Sequence, residues 1–321
     1  MINEKLGLKK GFIEQMNELL GENEAQKYFD SLNERPVKSI RCNTLKISCD
    51  ELKKRLENKG WKIKQPYKSA PEIFVIESNL DPGELGRSLE HQLGYYYVQE
   101  LSSMMPVLAL KPQPGDFVLD LCASPGSKTT QIASEMKNEG LLIANDVSLP
   151  RLKILASNLE RCGVANEIIT RRDGVYLCKK LEEEGFQFDK ILVDAPCSGE
   201  GTIRSAPKTV KMWNPYGIVS LSKIQKRLVV SAFSVLKVGG EMVYSTCTHS
   251  PQENEETIDF LLKQFPGQIK VEKTILPLKT RPGVLNWRQA EYSKEVSNAC
   301  RIYPHDGESE GFFITKLKRI K

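Results

Sequence analysis

Phe117-Val-Leu-Asp-Leu-Cys122 runs directly into Ala123-Ser-Pro-Gly-Ser-Lys-Thr-Thr130. The first stretch is an apolar run of strand length, bounded by Gly115 and by the Pro125-Gly126 turn. The second predicts a helix over 127–136. The rhythm then repeats. Leu141 to Asp146 reads as a strand. Pro150 to Cys162 reads as a helix, with Leu152, Leu155, Ala156 and Leu159 on one face and Gly163 beyond its end. Further strands are expected at Glu167–Arg171, Lys190–Asp194 and Glu241–Thr246. Strands alternating with helices imply right-handed crossovers, hence an α/β fold with a doubly wound, mostly parallel sheet. Ligands of such sheets bind outside the carboxyl ends of the strands.

Upstream the pattern differs. Phe12, Met16, Leu19 and Leu20, then Tyr28, Phe29 and Leu32, have helical spacing, broken near Gly21 and closed by Pro36. Ser39 to Lys46 alternates like a strand. Ser48 to Lys59 reads as a helix capped by Ser48 or Asp50 and stopped by Gly60, and Ile73 to Ile76 as a short strand. These pieces make a small α+β appendage. The turn-rich Ser78–Arg87 is a connector, and Tyr95 to Pro106 bridges to the sheet.

The chain has 321 residues, 40% hydrophobic and 27% charged, with a net charge of +5. That composition is globular, and no run approaches the roughly 20 apolar residues of a membrane span. The amino terminus carries no apolar signal region. The eight cysteines form no Cys-x-x-Cys, which argues against a zinc ribbon and a disulfide framework, so no metal is expected. A reducing cytoplasmic location fits. The charge is uneven. Residues 35–68 hold eleven basic and three acidic side chains, between a 1–34 segment with four and seven and a 69–100 segment with one and six. The basic block is either a phosphate-binding surface or a solvated helix face.

The strand ends carry the chemistry. The Cys122–Lys128 turn lacks Gly-x-Gly-x-x-Gly, and Ser127 separates Gly126 from Lys128, so neither a dinucleotide nor a Walker A loop fits. Its small residues still admit a ligand to the backbone, at the start of a helix. Acidic residues end four successive strands, Asp120, Asp146, Asp173 and Asp194. Any one alone is explained as a helix cap; four together are not. A glycine turn and a ribose-binding carboxylate without a diphosphate cradle fit S-adenosyl-L-methionine. Cys197 and Cys247 follow two strands expected to be neighbours. Most free cysteines are small buried apolar residues. These two sit among polar and glycine residues at the ligand-binding edge. A thiolate adds to C6 of a pyrimidine and makes C5 nucleophilic enough to accept a methyl group. A methyl-donor pocket beside a cysteine therefore suggests pyrimidine 5-methylation. The Asn-Pro-Pro-Tyr-like residues of amino-group methyltransferases are missing after the fourth strand. His249 lies two residues from Cys247, but no nucleophile-elbow pattern supports a Cys–His hydrolase. The residues alone leave open which cysteine attacks.

From about Arg35 onward the chain resembles the RNA 5-methylcytosine methyltransferases of the Nop2/Sun type. The resemblance rests on Ser39–Lys46, Tyr97-Val-Gln-Glu-Leu-Ser-Ser-Met104, Cys122-Ala-Ser-Pro-Gly-Ser-Lys128, Asp194-Ala-Pro-Cys-Ser-Gly-Glu-Gly-Thr202, Tyr244-Ser-Thr-Cys-Thr248 with Glu253-Asn-Glu255, and Glu310-Gly-Phe-Phe-Ile-Thr-Lys316. It looks most similar to archaeal tRNA-acting members and to the bacterial small-subunit rRNA branch, without the latter's appended carboxy-terminal RNA-binding domain. Ser124 and Ser127 replace the alanine and glycine of many relatives, and both are small.

The resemblance implies a helical segment over 1–34, an RRM-like RNA-binding domain over 35–95 and a Rossmann-like S-adenosylmethionine-dependent catalytic domain over 96–321. It implies that Cys122, Ala123, Ser124, Pro125, Gly126, Ser127 and Lys128 wrap the methionine end of the cofactor. Asp146 then holds the ribose, Asp173 lies near the adenine, Arg151 positions the cofactor, and Asp194 lines the cofactor and base pocket. Cys247 is the implied nucleophile and Cys197 assists release. A monomer acting on tRNA, or alternatively on rRNA, is expected, with Arg41, Lys53, Lys54, Arg55, Arg204 and Lys211 as candidate RNA contacts and Trp213 as either a stacking platform or a core residue. An inactive RNA-binding protein would have lost a cysteine or the cofactor turn. A DNA cytosine methyltransferase would use the Pro-Cys after the fourth strand as nucleophile and lack the second cysteine block.

Overall fold

The computed structural model describes residues 7–321, so residues 1–6 of the expected 1–34 segment lie outside it. Helices Lys10–Leu20 and Glu22–Ser31 meet at Gly21, whose φ of 77° turns the chain between them. Their apolar faces bury Phe12, Met16, Tyr28 and Phe29 against Ile203 and Trp213.

A four-stranded antiparallel sheet follows, in the order β2-β3-β1-β4: β1 Lys38–Cys42, β2 Ile63–Lys64, β3 Ile73–Ile76 and β4 Tyr96–Val98. Helix Cys49–Asn58 packs Leu52 and Leu56 on it, against Ile40, Phe74 and Tyr96. Ser48 caps that helix, accepting from the Glu51 N–H at 3.2 Å. The strand expected through Lys46 ends at Cys42, because Asn43 turns the chain. Its side-chain amide donates to the carbonyls of Gly94 (2.8 Å) and Cys162 (2.7 Å). β4 arises in the stretch expected to be a bridge. Three residues show no period of their own, and pairing with β1 makes them a strand.

The second sheet has nine strands. β5 Phe117–Asp120, β6 Leu141–Asn145, β7 Glu167–Thr170, β8 Phe188–Asp194 and β9 Leu236–Thr246 are parallel, in the order β7-β6-β5-β8-β9. The order reverses at β5, so the crevice opens at the carboxyl ends of β5 and β8. Helices Leu101–Leu110, Ser127–Glu135 and Leu149–Cys162 bury Met104, Ile132 and Leu155 on one face. Helices Gly174–Glu183, Pro215–Ser234 and Glu255–Gln264 bury Leu177, Leu228 and Ile258 on the other. Beyond β9 the sheet continues antiparallel. β10 Ile269–Glu272 and β14 Cys300–Ile302 pair with β15 Phe312–Arg319, which pairs with β9 in the register Phe313↔Thr246, and β11 Arg281–Pro282 pairs with β14 at the edge; β12 Asn286–Trp287 and β13 Ala290–Glu291 form a separate ribbon. The edge strands were not expected. They are short or only partly alternating, and β9 recruits them.

Arg41 joins the two units and corrects one expectation. It is 1% exposed, donates to Gln99 Oε1, to the Ser127 carbonyl at 2.7 Å and to Thr130 Oγ1 at 2.8 Å, and lies over the Tyr97 ring. It is a clamp between β1 and the helix after β5, not an RNA contact. Burial lowers its guanidinium to about 10, so it stays charged near neutrality. Arg41→Ala leaves buried acceptors without donors, at about 1–3 kcal/mol each. Denaturant unfolding should show a loss of about 2–5 kcal/mol, whereas an RNA contact would leave stability unchanged.

Candidate active site

Gly126 sits at φ 104°, ψ 6°, where a Cβ would also meet Leu155 Cδ1 at 3.0 Å. Only glycine makes this turn without strain, and it starts helix Ser127–Glu135 directly after β5. Arg151 ties the turn to the next strand end. Its Nη2 donates to the Ser124 carbonyl at 2.6 Å and lies 3.4 Å from Asp146 Oδ2. Asp146 follows β6, is buried, and accepts from the Ser148 N–H at 2.9 Å. Asp173 caps helix Gly174–Glu183, accepting from the N–H groups of Val175 (3.0 Å) and Tyr176 (3.1 Å).

Asp146, Arg151, Asp173 and Cys197 line a cavity of about 290 Å³ whose other walls include Val147, Ile224 and Leu228. Val147 is 62% and Ile224 45% exposed. Exposed aliphatic side chains lining one cleft suit a flat heterocycle. Buried Ser124 Oγ and Asp120 Oδ1 have no hydrogen-bond partner within the protein. Burial pushes the Asp120 carboxyl up to about 7, against the bond it accepts from Thr129 Oγ1 at 2.7 Å. Apolar walls, a ribose-accepting carboxylate and unpaired polar atoms at the turn fit S-adenosylmethionine, with Asp146 toward the ribose and the Cys122–Lys128 turn toward the methionine end. Val147, Ile224 and Leu228 were not singled out in the sequence. Only the position of Val147, directly after Asp146, signalled its role.

β8 and β9 are parallel neighbours with Asp194 paired to Ser245, so the loops that follow them emerge together. Cys197 Sγ and Cys247 Sγ lie 3.1 Å apart, and the Cys247 N–H points at Cys197 Sγ at 3.3 Å. Both side chains are partly exposed. The neighbouring Cys247 sulfur, with burial, pushes the Cys197 thiol well above its ordinary range. Two buried glutamates hold the loops. Glu253 accepts from the Ser198 N–H (3.0 Å), Ser198 Oγ (2.5 Å) and Gln225 Nε2 (2.8 Å). Burial pushes its carboxyl up to about 7. Glu200 accepts from Gln15 Nε2 (2.8 Å), Trp213 Nε1 (2.7 Å), Thr248 Oγ1 (2.9 Å) and the His249 N–H (3.1 Å). The sequence placed Glu200 and Glu253 inside motifs but gave them no role.

A second cavity, of about 430 Å³, is lined by Tyr97, Lys128, Glu310 and Phe312. Cys122, Ser124, Asp194 and Cys247 line both cavities. Asp194 is oriented by Lys128 Nζ (2.7 Å) and Ser245 Oγ (2.7 Å). Cys247 and Asp194 thus stand where the two spaces meet.

One expectation is corrected, that of Arg204 as an RNA contact, while Trp213 takes the second of its two readings and His249 agrees with the sequence. Trp213 is buried with its indole N–H on Glu200, so it is a core residue and not a stacking platform. The Arg204 side chain is buried, donating to the Ser309 carbonyl at 2.7 Å, so it offers no free charge to RNA. His249 is buried and stacked on Tyr303 with ring centroids 4.9 Å apart, its Nε2 without a partner, so it activates neither cysteine. Lys54 and Lys211 are exposed and Lys53 half-buried. Arg55 lies 3.8 Å from Glu90 and over the Tyr95 ring. Among the described residues no cluster is placed to hold a metal ion, and no helix is long and apolar enough to cross a membrane.

Two family models cover the chain: 16S rRNA methyltransferase RsmB/F over residues 107–318, and the N-terminal domain of 16S rRNA methyltransferase RsmF over residues 8–101. The chain is 42% identical over 281 residues to the tRNA (cytosine(49)-C(5))-methyltransferase of Pyrococcus abyssi, covering 88% of each. It is 40% identical to ribosomal RNA small subunit methyltransferase F of Aliivibrio salmonicida, over 99% of this chain and 65% of that protein. It therefore spans about two thirds of the length of that relative. Among solved structures, a methyltransferase homolog from Pyrococcus horikoshii superposes with a TM-score of 0.86 at 35% identity, over 99% of this chain and 97% of that one. NSun6 from the same organism, in a structure with SFG, gives 0.83 at 26% identity over 98% of each chain. A turn that fits S-adenosylmethionine, two cysteines in contact at the junction of two cavities, and matches along nearly the whole chain place this protein in the RsmB/F family of methyltransferases, of the Nop2/Sun type.

Proposed function

We propose that the protein transfers a methyl group from S-adenosylmethionine to C5 of cytosine in RNA, with Cys247 as the nucleophile. The observation that carries this reading is the pair of sulfurs 3.1 Å apart where the two cavities meet. In this reading the 430 Å³ cavity takes the base and the 290 Å³ cavity the nucleoside end of the cofactor. The bound cofactor supplies an electrophilic methyl group. Cys247, as thiolate, forms the Sγ–C6 bond and makes C5 nucleophilic. Asp194, fixed by Lys128 and Ser245, orients the base. After methylation H5 leaves C5 as a proton and the Sγ–C6 bond breaks. Cys197 assists this second half, from its place against Cys247. The small sheet with helix Cys49–Asn58 is the RNA-facing unit, through Lys53 and Lys54, with exposed Lys211 as a further phosphate contact.

tRNA is the proposed substrate, supported by the 42% identity to a tRNA-acting relative. Ribosomal RNA is the second reading, supported by both family models. Methylation of purified tRNA against 16S rRNA, followed by bisulfite sequencing, separates them.

Asp146→Ala should weaken S-adenosylmethionine binding by about 1–3 kcal/mol for each ribose hydroxyl left unpaired. Calorimetry showing unchanged affinity would remove Asp146 from the site. Lys53→Ala with Lys54→Ala should lower RNA affinity and flatten its dependence on salt, by about 0.7–0.9 in logarithmic slope for each phosphate no longer neutralised. An unchanged slope would make this helix a solvated face.

The two cysteines should fail differently. Cys247→Ala should abolish both methylation and any covalent RNA adduct. Cys197→Ala should still attack and methylate but not release, and should accumulate a denaturant-resistant complex that requires both S-adenosylmethionine and Cys247. Labelled RNA on a denaturing gel reads both variants. An adduct from Cys247→Ala alone would reverse the roles.

A further inference from the structure

Glu310 is an acidic side chain of the 430 Å³ cavity to which the proposed reaction gives no role. Glu310, two residues before β15, is 2% exposed, and neither carboxylate oxygen has a partner in good hydrogen-bond geometry, with Ser205 and Arg204 as its neighbouring donors. Its backbone is fixed, because its N–H donates to Glu100 Oε1 at 2.8 Å. Its ionic neighbour, Arg204 Nε, stands 3.8 Å from Oε2, beyond hydrogen-bonding distance. Of the other acids lining this cavity, Asp120 keeps one unpartnered oxygen beside the cofactor turn, while Asp194 and Glu100 are matched. Each Asp194 oxygen accepts a bond, from Lys128 or Ser245, and Glu100 Oε2 accepts from the N–H groups of Ser102 and Ser103. Burial pushes the Glu310 carboxyl up to about 7, opposed by Arg204, reinforced by Glu100 and opposed again by the hydroxyl and N–H of neighbouring Ser205. A buried acceptor without donors is costly. In a cavity that leads to the nucleophile, a bound ligand supplies the donor, and the cofactor's ammonium is directed to the Cys122–Lys128 turn. A phosphodiester is excluded, since it brings only acceptors and a like charge. The donors that a cytidine brings are its 4-amino group and its ribose 2′-hydroxyl.

We propose that Glu310 is a specificity-determining residue that accepts a hydrogen bond from the target cytidine, through its 4-amino group or its 2′-hydroxyl. This rests on the cytosine-methylation reading above.

The test compares wild type, Glu310→Ala and Glu310→Gln on three oligoribonucleotides spanning the methylated position, once bisulfite sequencing has located it. One carries cytidine there, one 2′-deoxycytidine, and one zebularine, which lacks the 4-amino group. Glu310→Ala should raise KM for the cytidine substrate roughly tenfold or more, the loss of a hydrogen bond to a charged group, with a smaller effect on kcat. The wild-type preference for cytidine over one analogue should collapse in the variant. Collapse against deoxycytidine identifies the hydroxyl as donor, and collapse against zebularine the amine. Glu310→Gln keeps size and one acceptor, should give an intermediate KM, and carries the test if the alanine variant does not fold. Equal losses on all three substrates with a lowered Tm and unchanged preferences would overturn the proposal, leaving Glu310 a packing partner of Arg204. Failure of the underlying reading looks different: the wild type itself would methylate no cytidine and form no Cys247 adduct.

Discussion

The contact between Cys197 and Cys247 depends on two carboxylates that touch neither sulfur. Parallel pairing of β8 and β9 brings the two loops to the same edge, but a strand pairing fixes backbone only as far as its last hydrogen bond. Beyond that, Glu253 holds the residue after Cys197, and Glu200 holds the two residues after Cys247. Each glutamate is buried and meets several donors, so its desolvation is offset by directed bonds. Glu200 also accepts from Gln15, which anchors the first helix to the floor of the site. The amino-terminal helices therefore stabilise the loop after the nucleophile, although they lie far from it in sequence.

The carboxy-terminal strands reach the same place from the other side. β15 pairs along β9, and its entry is fixed by a backbone crossing in which Gly311 N–H donates to the Gly201 carbonyl at 2.9 Å. A Cβ on Gly201 would lie 2.3 Å from the Gly311 oxygen, so the crossing requires glycine. The buried pair Arg301–Glu255, joined at 2.5 Å, fastens β14 to the helix after the Cys247 loop, and Arg301 also donates to the His249 carbonyl at 2.9 Å. Ionic pairs of this kind contribute little net stability but fix geometry, because breaking one leaves an uncompensated buried charge. The active-site wall formed by Glu310 and Phe312 is placed by these contacts.

Charge turned inward also shapes the amino-terminal unit. Its basic excess suggested a surface for phosphate, and part of that excess is used inside the fold. Arg41 clamps the two sheets together. Lys46 donates to the carbonyls of Leu93 and Arg161, and Lys59 pairs with Glu90. The positive charge left for a partner includes Lys53 and Lys54 on helix Cys49–Asn58 and, outside that helix, the exposed Arg35, Lys62, Lys64 and Lys68.

Strand–turn–helix repeats, the glycine turn after β5, the acids at the strand ends and the two cysteines were all legible in the sequence, because each depends on neighbours a few residues away. Apolar periodicity, cap chemistry and the φ > 0 requirement of Gly126 are local properties. Other features were decided only in three dimensions. Arg41 and Arg204 point inward although their neighbours in sequence look solvated, since charge carries no direction along a chain. Trp213 and His249 are core residues because partners from distant segments close over them. Val147 and Ile224 line one cavity although a long stretch of sequence separates them. Glu200 draws its donors from positions 15, 213, 248 and 249. No window of sequence contains them all, and their convergence comes from the order in which the strands pair.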